Sequence, residues 1–280
     1  MRNAVVKQLG ILAFFLSSTA HAGLFYSIDT ASDDLVSIDS SSGHVTMIGS
    51  LGVDLFDTDL AMLEGNLYAV DTSLVRQTAN LYRINTTSGN AALLGQLATA
   101  TEGVTHAEGL AATASSLIVS YTTTPNSPTS NLVAALSLTG LVGSGTDAGV
   151  DIDGLTADNI EQFLFLDSKD SANRVDLYSG FPVSTIGSHT GVSGSNFSND
   201  AAFLGNELFA ISDPGLLHLD RTDGSLLSIT ALDRAGNYTG LVAVPAPMPL
   251  FLILGGLAAA TMFGRSRSRS KSSLTQNEDA

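Results

Sequence analysis

The sequence predicts an all-β fold, a β-propeller of five blades with six as the alternative, followed by a single short transmembrane helix. Three observations lead to this prediction. One pattern of short apolar strands recurs with a period of roughly 45 residues, which is the length of a four-stranded propeller blade. The strand that the first repeat lacks is found after the last repeat. An apolar run and a row of arginines then follow it.

Each repeat has the same parts in the same order: an apolar strand that ends in a polar residue, a second apolar strand, a turn that contains glycine, and a third short strand. The first strands begin at residues 24, 67, 117, 163 and 208. The pattern resembles that of secreted propellers with five to six blades, whose blades read G-I-A, L-Y-x-x-D, I-x-x-I-D and T-G. This resemblance covers most of residues 24–244 and implies a fold but no ligand. A β-sandwich with accidental repetition is the alternative.

The fourth strand of each repeat lies just before its first strand. It is found at residues 60–62, 109–112, 154–157 and 201–203. The first repeat has no such strand, and residues 240–244 supply a matching one at the far end. We therefore expect this C-terminal strand to complete the first blade and close the ring, because closure removes an exposed sheet edge. A β-sandwich would not explain the relocated strand.

Residues 1–22 have the composition of a secretory signal peptide, with a basic start, an apolar core and a small-x-small cleavage site. These parts lie, in this order, at Arg2 and Lys7, at residues 9–16, and at Ala20 and Ala22. Gly23 is then the first mature residue. The alternative, an N-terminal anchor helix, is disfavoured because the apolar core is shorter than the ~20 residues that a membrane span needs. The sequence therefore predicts export through the Sec translocon.

The predicted exported domain, residues 23–244, is strongly acidic. Six of the 12 basic residues and two of the 27 acidic residues lie in the terminal segments, so this domain carries 6 basic and 25 acidic groups, a net charge of −19. Nucleic acid is disfavoured as a partner, because a phosphate backbone needs cations facing it. Cations and neutral polymers such as glycans are the partners left open. The chain has no cysteine, so its core must stabilise the exported domain without disulfides.

Four acidic residues lie close to the start of the inner strands, which line the central channel of a propeller. They are Asp59, Glu108, Asp153 and Asp200. Carboxylates that converge on one channel mouth repel one another unless a cation lies among them, and Ca²⁺ suits them because it accepts many oxygen ligands in flexible geometry. The alternative is that these acids cap local N–H groups at turns and face water. No EF-hand loop supports the calcium site, and the sequence predicts no other cofactor.

The sequence predicts no catalytic residue. His106 lies near the same channel mouth and has the chemistry of an acid, a base or a metal ligand, but a single histidine flanked by acids is more often a solvated loop residue. His44, His189 and His218 do not have the spacing of a zinc site. The Gly-x-Ser-x-Gly nucleophile motif is absent. We therefore expect a non-enzymatic protein.

A short membrane helix is predicted at residues 247–264. The apolar run itself covers only residues 250–263, and three prolines before it would break any longer helix. A basic cluster follows at once, which places that end in the cytoplasm by the positive-inside rule and stops translocation. This cluster consists of Arg265, Arg267, Arg269 and Lys271.

The three parts of this region resemble the PEP-CTERM sorting signal of Gram-negative bacteria. They are the motif Val244, Pro245, Ala246 and Pro247, the short apolar helix, and the basic cluster. The resemblance covers residues 245–271 and implies that an exosortase, a membrane-embedded enzyme similar to cysteine proteases, cuts near the Pro-x-Pro motif. It further implies transfer to the cell surface or to the extracellular polysaccharide matrix. Two departures, Ala246 in place of the usual glutamate and the polar cytoplasmic tail at residues 272–280, leave a plain single-pass anchor as the alternative.

One functional expectation and two alternatives follow. We expect an exported protein, held first in the inner membrane with its domain in the periplasm, whose propeller is an interaction module for a partner such as extracellular polysaccharide. The first alternative is a secreted propeller enzyme that acts on glycans through carboxylates at the channel mouth. The absence of tryptophan disfavours a sugar-stacking cleft in such an enzyme. The second alternative is a Ca²⁺-stabilised structural repeat on a plain anchor.

Overall fold

The computed structural model describes residues 23–56, 58–73, 76–123, 131–149, 152, 154–157, 200–212 and 215–244, together with the backbone of the strands between residues 163 and 190. The described residues belong to one compact unit, which ends at Val244. The predicted signal peptide, membrane helix and basic cluster lie outside the described residues. Within the described part of the chain, no helix has the length and apolar character needed to cross a membrane.

The elements of the described region are β-strands. In chain order they are β1 Leu24–Asp29, β2 Asp34–Asp39, β3 Val45–Ser50, β4 Thr58–Leu63, β5 Asn66–Ser73, β6 Thr78–Ile84, β7 Ala91–Gln96, β8 His106–Ala112, β9 Leu117–Thr122, β10 Leu132–Leu136, β11 Thr146–Asp147, β12 Gly154–Ala157, β13 Phe163–Lys169, β14 Arg174–Ser179, β15 Ser184–Thr190, β16 Ala201–Leu204, β17 Glu207–Ser212, β18 Gly215–Leu219, β19 Leu226–Thr230 and β20 Tyr238–Ala243.

These strands form five four-stranded antiparallel sheets among the described residues. From the innermost to the outermost strand, sheet I is β20-β1-β2-β3, sheet II is β4-β5-β6-β7, sheet III is β8-β9-β10-β11, sheet IV is β12-β13-β14-β15 and sheet V is β16-β17-β18-β19. The innermost strands contact one another in a closed circle, in the order β20, β4, β8, β12, β16 and back to β20. The all-β propeller arrangement that the repeat predicted is confirmed.

The relocated C-terminal strand is confirmed as part of the first sheet. β20 pairs with β1, with Phe25 opposite Ala243 and Asp29 opposite Tyr238. One further hydrogen bond follows the last strand residue, from the N–H of Val244 to the carbonyl oxygen of Leu24 at 2.7 Å. The chain therefore joins its two ends in one sheet, and β1 has a partner on both sides.

Among the residues whose side chains the structure describes, hydrophobic side chains fill the space between neighbouring sheets. The middle strands show this directly: β2 is buried at five successive positions, whereas the outer strand β3 next to it is mostly exposed. Between sheets II and III the core includes Leu81, Leu110 and Tyr121. The ring is thus stabilised by a series of interfaces that each resemble a small core.

The turns after the third strands of the sheets repeat one hydrogen-bonding pattern. In the first turn the Asp39 carboxylate accepts hydrogen bonds from the backbone N–H groups of Ser41 and Ser42, and the N–H of Gly43 donates to the carbonyl of Asp39 at 2.9 Å. Hydrogen bonds from the Ser41 hydroxyl and from the Ser42 N–H lower the pKa of Asp39 to about 2. Asn85 and Asp220 begin turns of the same kind.

Candidate functional site at the channel mouth

The strand register places one residue of each inner strand at the same height along the axis of the central channel, which we call one level of the channel. The residues at this level are Asp59, Gly109, Gly154, Asp200 and Thr239, one from each sheet. Asp59 pairs with Val70, Gly109 with Ser120, Gly154 with Leu166 and Thr239 with Ile28, and the carbonyl of Asp200 accepts the N–H of Ile211. Two aspartates, a threonine and two glycines therefore face one another around the axis.

Asp59 binds the backbone of three different sheets. Its Oδ1 accepts the N–H of Leu60 at 2.6 Å, and its Oδ2 accepts the N–H of Leu110 at 2.6 Å and that of Leu155 at 3.4 Å. The side chain is almost completely buried, at 1% exposure. Leu110 and Leu155 directly follow the two glycines of this level, so the Asp59 carboxyl joins β4 to both β8 and β12.

Asp200 makes the matching contacts on the other side of the channel. Its Oδ2 accepts the N–H of Gly240 in sheet I, and Thr239 Oγ1 lies 3.3 Å from the same oxygen. Thr239 Oγ1 also donates to the carbonyl of Thr58 at 2.6 Å, which links sheet I to sheet II. Asp59 and Asp200 together satisfy N–H groups from four of the five inner strands, so this pair closes the ring.

The carboxyl group of Asp200 affects the protonation of Asp59. Burial raises the pKa of Asp59 well above its ordinary value, and the neighbouring charge of Asp200 raises it further, while the N–H groups of Leu110 and Leu60 oppose the shift. A hydrogen bond between the carboxyl groups of Asp59 and Asp200 acts in the same direction as burial. The geometry therefore favours one proton held between the two aspartates, which avoids two adjacent buried charges.

The small residues at this level are required by close packing. A Cβ atom added to Gly109 would lie 2.7 Å from the Leu155 Cβ and 2.8 Å from the Ser120 Oγ. Gly240 has a φ of +65°, and a Cβ there would lie 2.6 Å from the Leu60 Cγ. The channel is thus closed by contacts between strands, with the carboxyl pair in the space that remains.

The structure separates Glu108 from the aspartates. The sequence grouped Glu108 with Asp59 and Asp200 near the start of the inner strands, but β8 has a register shift between Ala107 and Gly109 that makes Glu108 an extra, bulged residue. Gly109 takes the level of Asp59 instead. Such a bulge leaves no clear signal in the sequence, and Asp153 lies outside the described residues.

Glu108 is part of a second polar group at the start of β8. Its Oε1 lies 2.9 Å from His106 Nε2, and its Oε2 accepts a hydrogen bond from Asn131 Nδ2 at 2.7 Å. Asn131 is fully buried and also donates to the carbonyl of Ile152 at 3.3 Å. The buried amide therefore fixes the carboxylate, which in turn orients a partly exposed histidine. Asn131 was missed by the sequence analysis because it begins a strand without any recognisable motif.

Neither polar group forms a metal site in the described part of the chain. No group of three or more histidine, aspartate or glutamate side chains among these residues has a geometry that could hold a metal ion. The oxygens of Asp59 and Asp200 that sequence reasoning assigned to Ca²⁺ accept hydrogen bonds from N–H groups. The alternative reading of these acids, as caps of N–H groups, describes Asp59 and Asp200 better, although both are buried rather than exposed to water.

Gly23 and Val244, which belong to the two predicted processing sites, lie at the same end of the neighbouring strands β1 and β20 of sheet I. The N–H of Gly23 donates to Ser40 Oγ at 3.0 Å, and its carbonyl accepts the N–H of Ser40 at 2.8 Å. Val244 is the last described residue of the sorting motif. The remaining predicted residues of both sites lie outside the described residues: Ala20, Ala22, Pro245, Ala246, Pro247, Arg265, Arg267, Arg269 and Lys271.

No protein-family profile matches this sequence, and no curated protein matches it. Several solved structures are similar in fold. A chain of the nidogen/laminin complex has a TM-score of 0.47 and 10% identity, over 79% of this chain and 97% of that one. The glutaminyl cyclase of Myxococcus xanthus has a TM-score of 0.42 and 12% identity, over 83% and 78%. TolB from Acinetobacter baumannii has a TM-score of 0.46 and 10% identity, over 79% and 66%. Similarity at this level carries no information about function.

Proposed function

We propose that this chain is an exported surface or matrix protein whose five-bladed propeller is a non-enzymatic interaction module, delivered by a C-terminal sorting signal. The observation that carries the proposal is that the two aspartates at the channel mouth hold neighbouring sheets together. Asp59 and Asp200 are buried, and they bind backbone N–H groups of neighbouring strands. Their role in joining the sheets leaves the channel without an exposed carboxyl pair for acid–base chemistry at this level.

The position of Gly23 supports export with cleavage after Ala22. The nitrogen of Gly23 lies 3.0 Å from Ser40 Oγ. An α-ammonium group created by signal-peptide cleavage keeps the same donor toward the same hydroxyl. A Cβ at this position would lie 1.9 Å from a methyl carbon of Leu204, so close packing against β16 favours a glycine here.

The end of β20 supports processing in the Pro-x-Pro motif. Val244 makes the last ladder hydrogen bond, and Pro245 has no N–H with which to continue it. The prolines at positions 245, 247 and 249 disfavour helix and ladder pairing, so the sequence of this segment favours an extended chain without internal hydrogen bonds, a form that a protease can bind. In this proposal an exosortase-type enzyme cuts there, while the basic cluster retains the tail at the inner membrane until the cut.

A neutral polysaccharide is the partner that the charge of the domain favours. With a net charge of −19 over residues 23–244, the domain repels anionic polymers and has few cations to bind them. A matrix polymer without charge meets no such barrier. The proposed destination, the cell surface or the extracellular matrix, brings the domain into contact with such polymers.

Mass spectrometry of the protein isolated from the producing cell tests the sorting signal. We expect a mature chain that begins at Gly23 and ends within or near residues 244–247, recovered from the surface or matrix fraction. Replacing Pro245 and Pro247 together with alanine should leave the uncut form in the membrane fraction, whereas Pro249→Ala, outside the motif, should be processed normally. A native product that ends at Ala280 would contradict the processing, and one that retains residues 1–22 would contradict the export.

A second candidate function rests on the group formed by His106, Glu108 and Asn131. A histidine oriented by a carboxylate that is itself fixed by a buried amide has the arrangement of a general base. It favours the alternative of a propeller enzyme that acts on glycans. Release of reducing ends from the producing cell's polysaccharide, lost in His106→Ala and in Glu108→Gln but kept in His44→Ala, would establish this function in place of the first.

A further inference from the structure

A groove of about 720 Å³ opens on the side of sheet III that faces sheet II. Its volume lies within the range of roughly 300–1,000 Å³ that small-molecule sites occupy. The residues of the channel mouth do not line it. The groove is therefore a separate feature of the propeller, which neither the ring closure nor the sorting signal explains.

The groove has an apolar floor and a rim of hydroxyl groups. Tyr121, Leu136 and Val142 form part of the floor and belong to the core between sheets II and III. The rim carries Thr99, Thr101, Thr123, Ser137 and Ser144, with Glu102 as its carboxylate. Among the described residues that line the groove there is no lysine, arginine or histidine.

Hydrogen bonds hold the rim in place without a ligand. The N–H of Ala98 donates to the carbonyl of Gly140 at 3.0 Å, and the carbonyl of Ala98 accepts the N–H of Val142 at 2.8 Å, so the two rim loops are joined at their base. In one of these loops Thr99 Oγ1 accepts the N–H of Glu102 at 3.1 Å. This turn leaves the Glu102 side chain exposed on a fixed backbone.

The chemistry of the groove matches one unit of a sugar chain. A pyranose ring has apolar C–H faces and a polar edge of hydroxyl groups, which correspond to the floor and the rim. A carboxylate accepts hydrogen bonds only, so Glu102 suits neighbouring sugar hydroxyls as donors. An anionic unit such as a uronate or a phosphate would meet Glu102 without any cation to compensate.

We propose that this groove binds a neutral sugar unit of an extracellular polysaccharide, with Glu102 as the acceptor of its hydroxyl groups. The proposal rests on the proposed function and assigns the polysaccharide contact to sheet III rather than to the channel mouth. Binding buries the exposed apolar lining at Ala135 and Leu141, which lies above the buried floor, and the fixed rim limits the entropy that the protein loses on binding.

Calorimetric titration of the full-length protein in detergent micelles tests this assignment. The probes are the neutral and the anionic fractions of the producing cell's own extracellular polysaccharide, separated by ion exchange. Glu102→Gln keeps the size of the side chain but removes its charge, and Ala135→Trp fills the groove from an exposed position on its lining. Glu207→Gln, at an exposed acid of sheet V, is the matched control. Melting curves establish that each variant is folded.

We expect the neutral fraction to bind the wild type and Glu207→Gln equally. Affinity should fall about tenfold in Glu102→Gln, the effect of losing a charged acceptor, and binding should disappear in folded Ala135→Trp. Equal binding to all variants would show that the groove is not the binding site, while the proposed function would remain intact. Binding of the anionic fraction alone would overturn the assigned chemistry. No binding of either fraction to the wild type would overturn both the groove and the polysaccharide partner.

Discussion

The carboxylate of Asp233 accepts a hydrogen bond from the N–H of Val45 at 2.9 Å, although the two residues are 188 positions apart in the chain. This contact joins the end of sheet V to the outer strand of sheet I. At the boundary of sheets II and III the corresponding bond is made by the backbone, from the N–H of Val142 to the carbonyl of Ala98. The boundary that joins the two ends of the chain therefore uses a side chain where another boundary uses the main chain.

Asp233→Ala is expected to lower the melting temperature, and the loss should shrink at acidic pH. Hydrogen bonds from the Val45 N–H and from His44 lower the pKa of Asp233. A group with a lowered pKa in the folded state contributes stability above its ordinary pKa, and that contribution is lost as the pH falls through the lowered value. Melting curves of wild type and variant at neutral pH and at about pH 2.5 measure the effect. A variant deficit that grows on acidification would contradict this role.

Asp59→Asn is expected to remove a pH dependence of stability. Because burial and Asp200 raise the pKa of Asp59, its contribution is fully present below the ordinary aspartate pKa of about 3.9 and is lost as the pH rises through the raised value. Asparagine is neutral at every pH and can accept and donate at the same place. Urea unfolding between about pH 4 and pH 9 should therefore give a flatter profile for Asp59→Asn than for the wild type or for Glu207→Gln.

Asp59→Ala is the disruptive counterpart of that substitution. It leaves the buried N–H groups of Leu110 and Leu155 without an acceptor, so we expect a loss of about 3–5 kcal/mol in the free energy of unfolding. An effect as small as that of an exposed control would mean that the carboxyl pair does not hold the ring closed.

Gly109→Ala is expected to destabilise the protein by about 1–3 kcal/mol, because its Cβ would meet the Leu155 Cβ at 2.7 Å. Gly103→Ala is a matched control in the connection before the same strand. The nearest atom to its Cβ would be Gln96 Nε2 at 4.0 Å, and alanine there should be neutral or slightly stabilising. Chemical denaturation of the two variants side by side measures the difference, and equal stabilities would rule out close packing at Gly109.

Removing β20 is expected to abolish cooperative folding. A chain that ends at Val244 keeps the strand that pairs with β1, whereas a chain that ends at Asn237 lacks the innermost strand of sheet I and exposes an edge. The first should melt in a single transition and the second should show none and aggregate. Circular dichroism and light scattering would record the outcome, and a soluble, cooperatively folded shorter chain would show that closure is dispensable.

Ca²⁺ is expected to leave the melting temperature unchanged. The oxygens of Asp59 and Asp200 already accept N–H groups, and a cation would have to displace these bonds. Melting scans in millimolar CaCl₂ and in EDTA test this. A concentration-dependent rise with Ca²⁺ would indicate a bound ion and would revive the calcium-stabilised alternative.

The strand pattern was predictable because it depends on local alternation and on repetition. Each of the first strands predicted at residues 24, 67, 117, 163 and 208 begins within one residue of an observed strand. The outer strand of sheet III was the least predictable, and the structure has only the two-residue strand β11 there. Residues 143–145 are rich in glycine and small, so they give no strand signal.

The candidate site was less predictable, because it depends on register rather than on pattern. The burial and mutual contact of Asp59 and Asp200 arise from which residues of five separate strands share one level of the channel. A single bulged residue moved Glu108 out of that level and brought it to Asn131. Sequence spacing does not reveal such a shift, whereas strand pairing does.

Gly23 and Val244 lie beside each other at the edge of sheet I, since Val244 donates to the carbonyl of Leu24. The strands could therefore be connected in a different order along the chain while each strand keeps its present neighbours. A short linker across these two residues, with new termini in the exposed turn at Glu64 and Gly65, would give a circular permutant that keeps every pairing of the ring. In this permutant the linker would join β20 covalently to β1 in sheet I. In sheet II, β4 would no longer be connected to β5 and would be held beside it by hydrogen bonds alone.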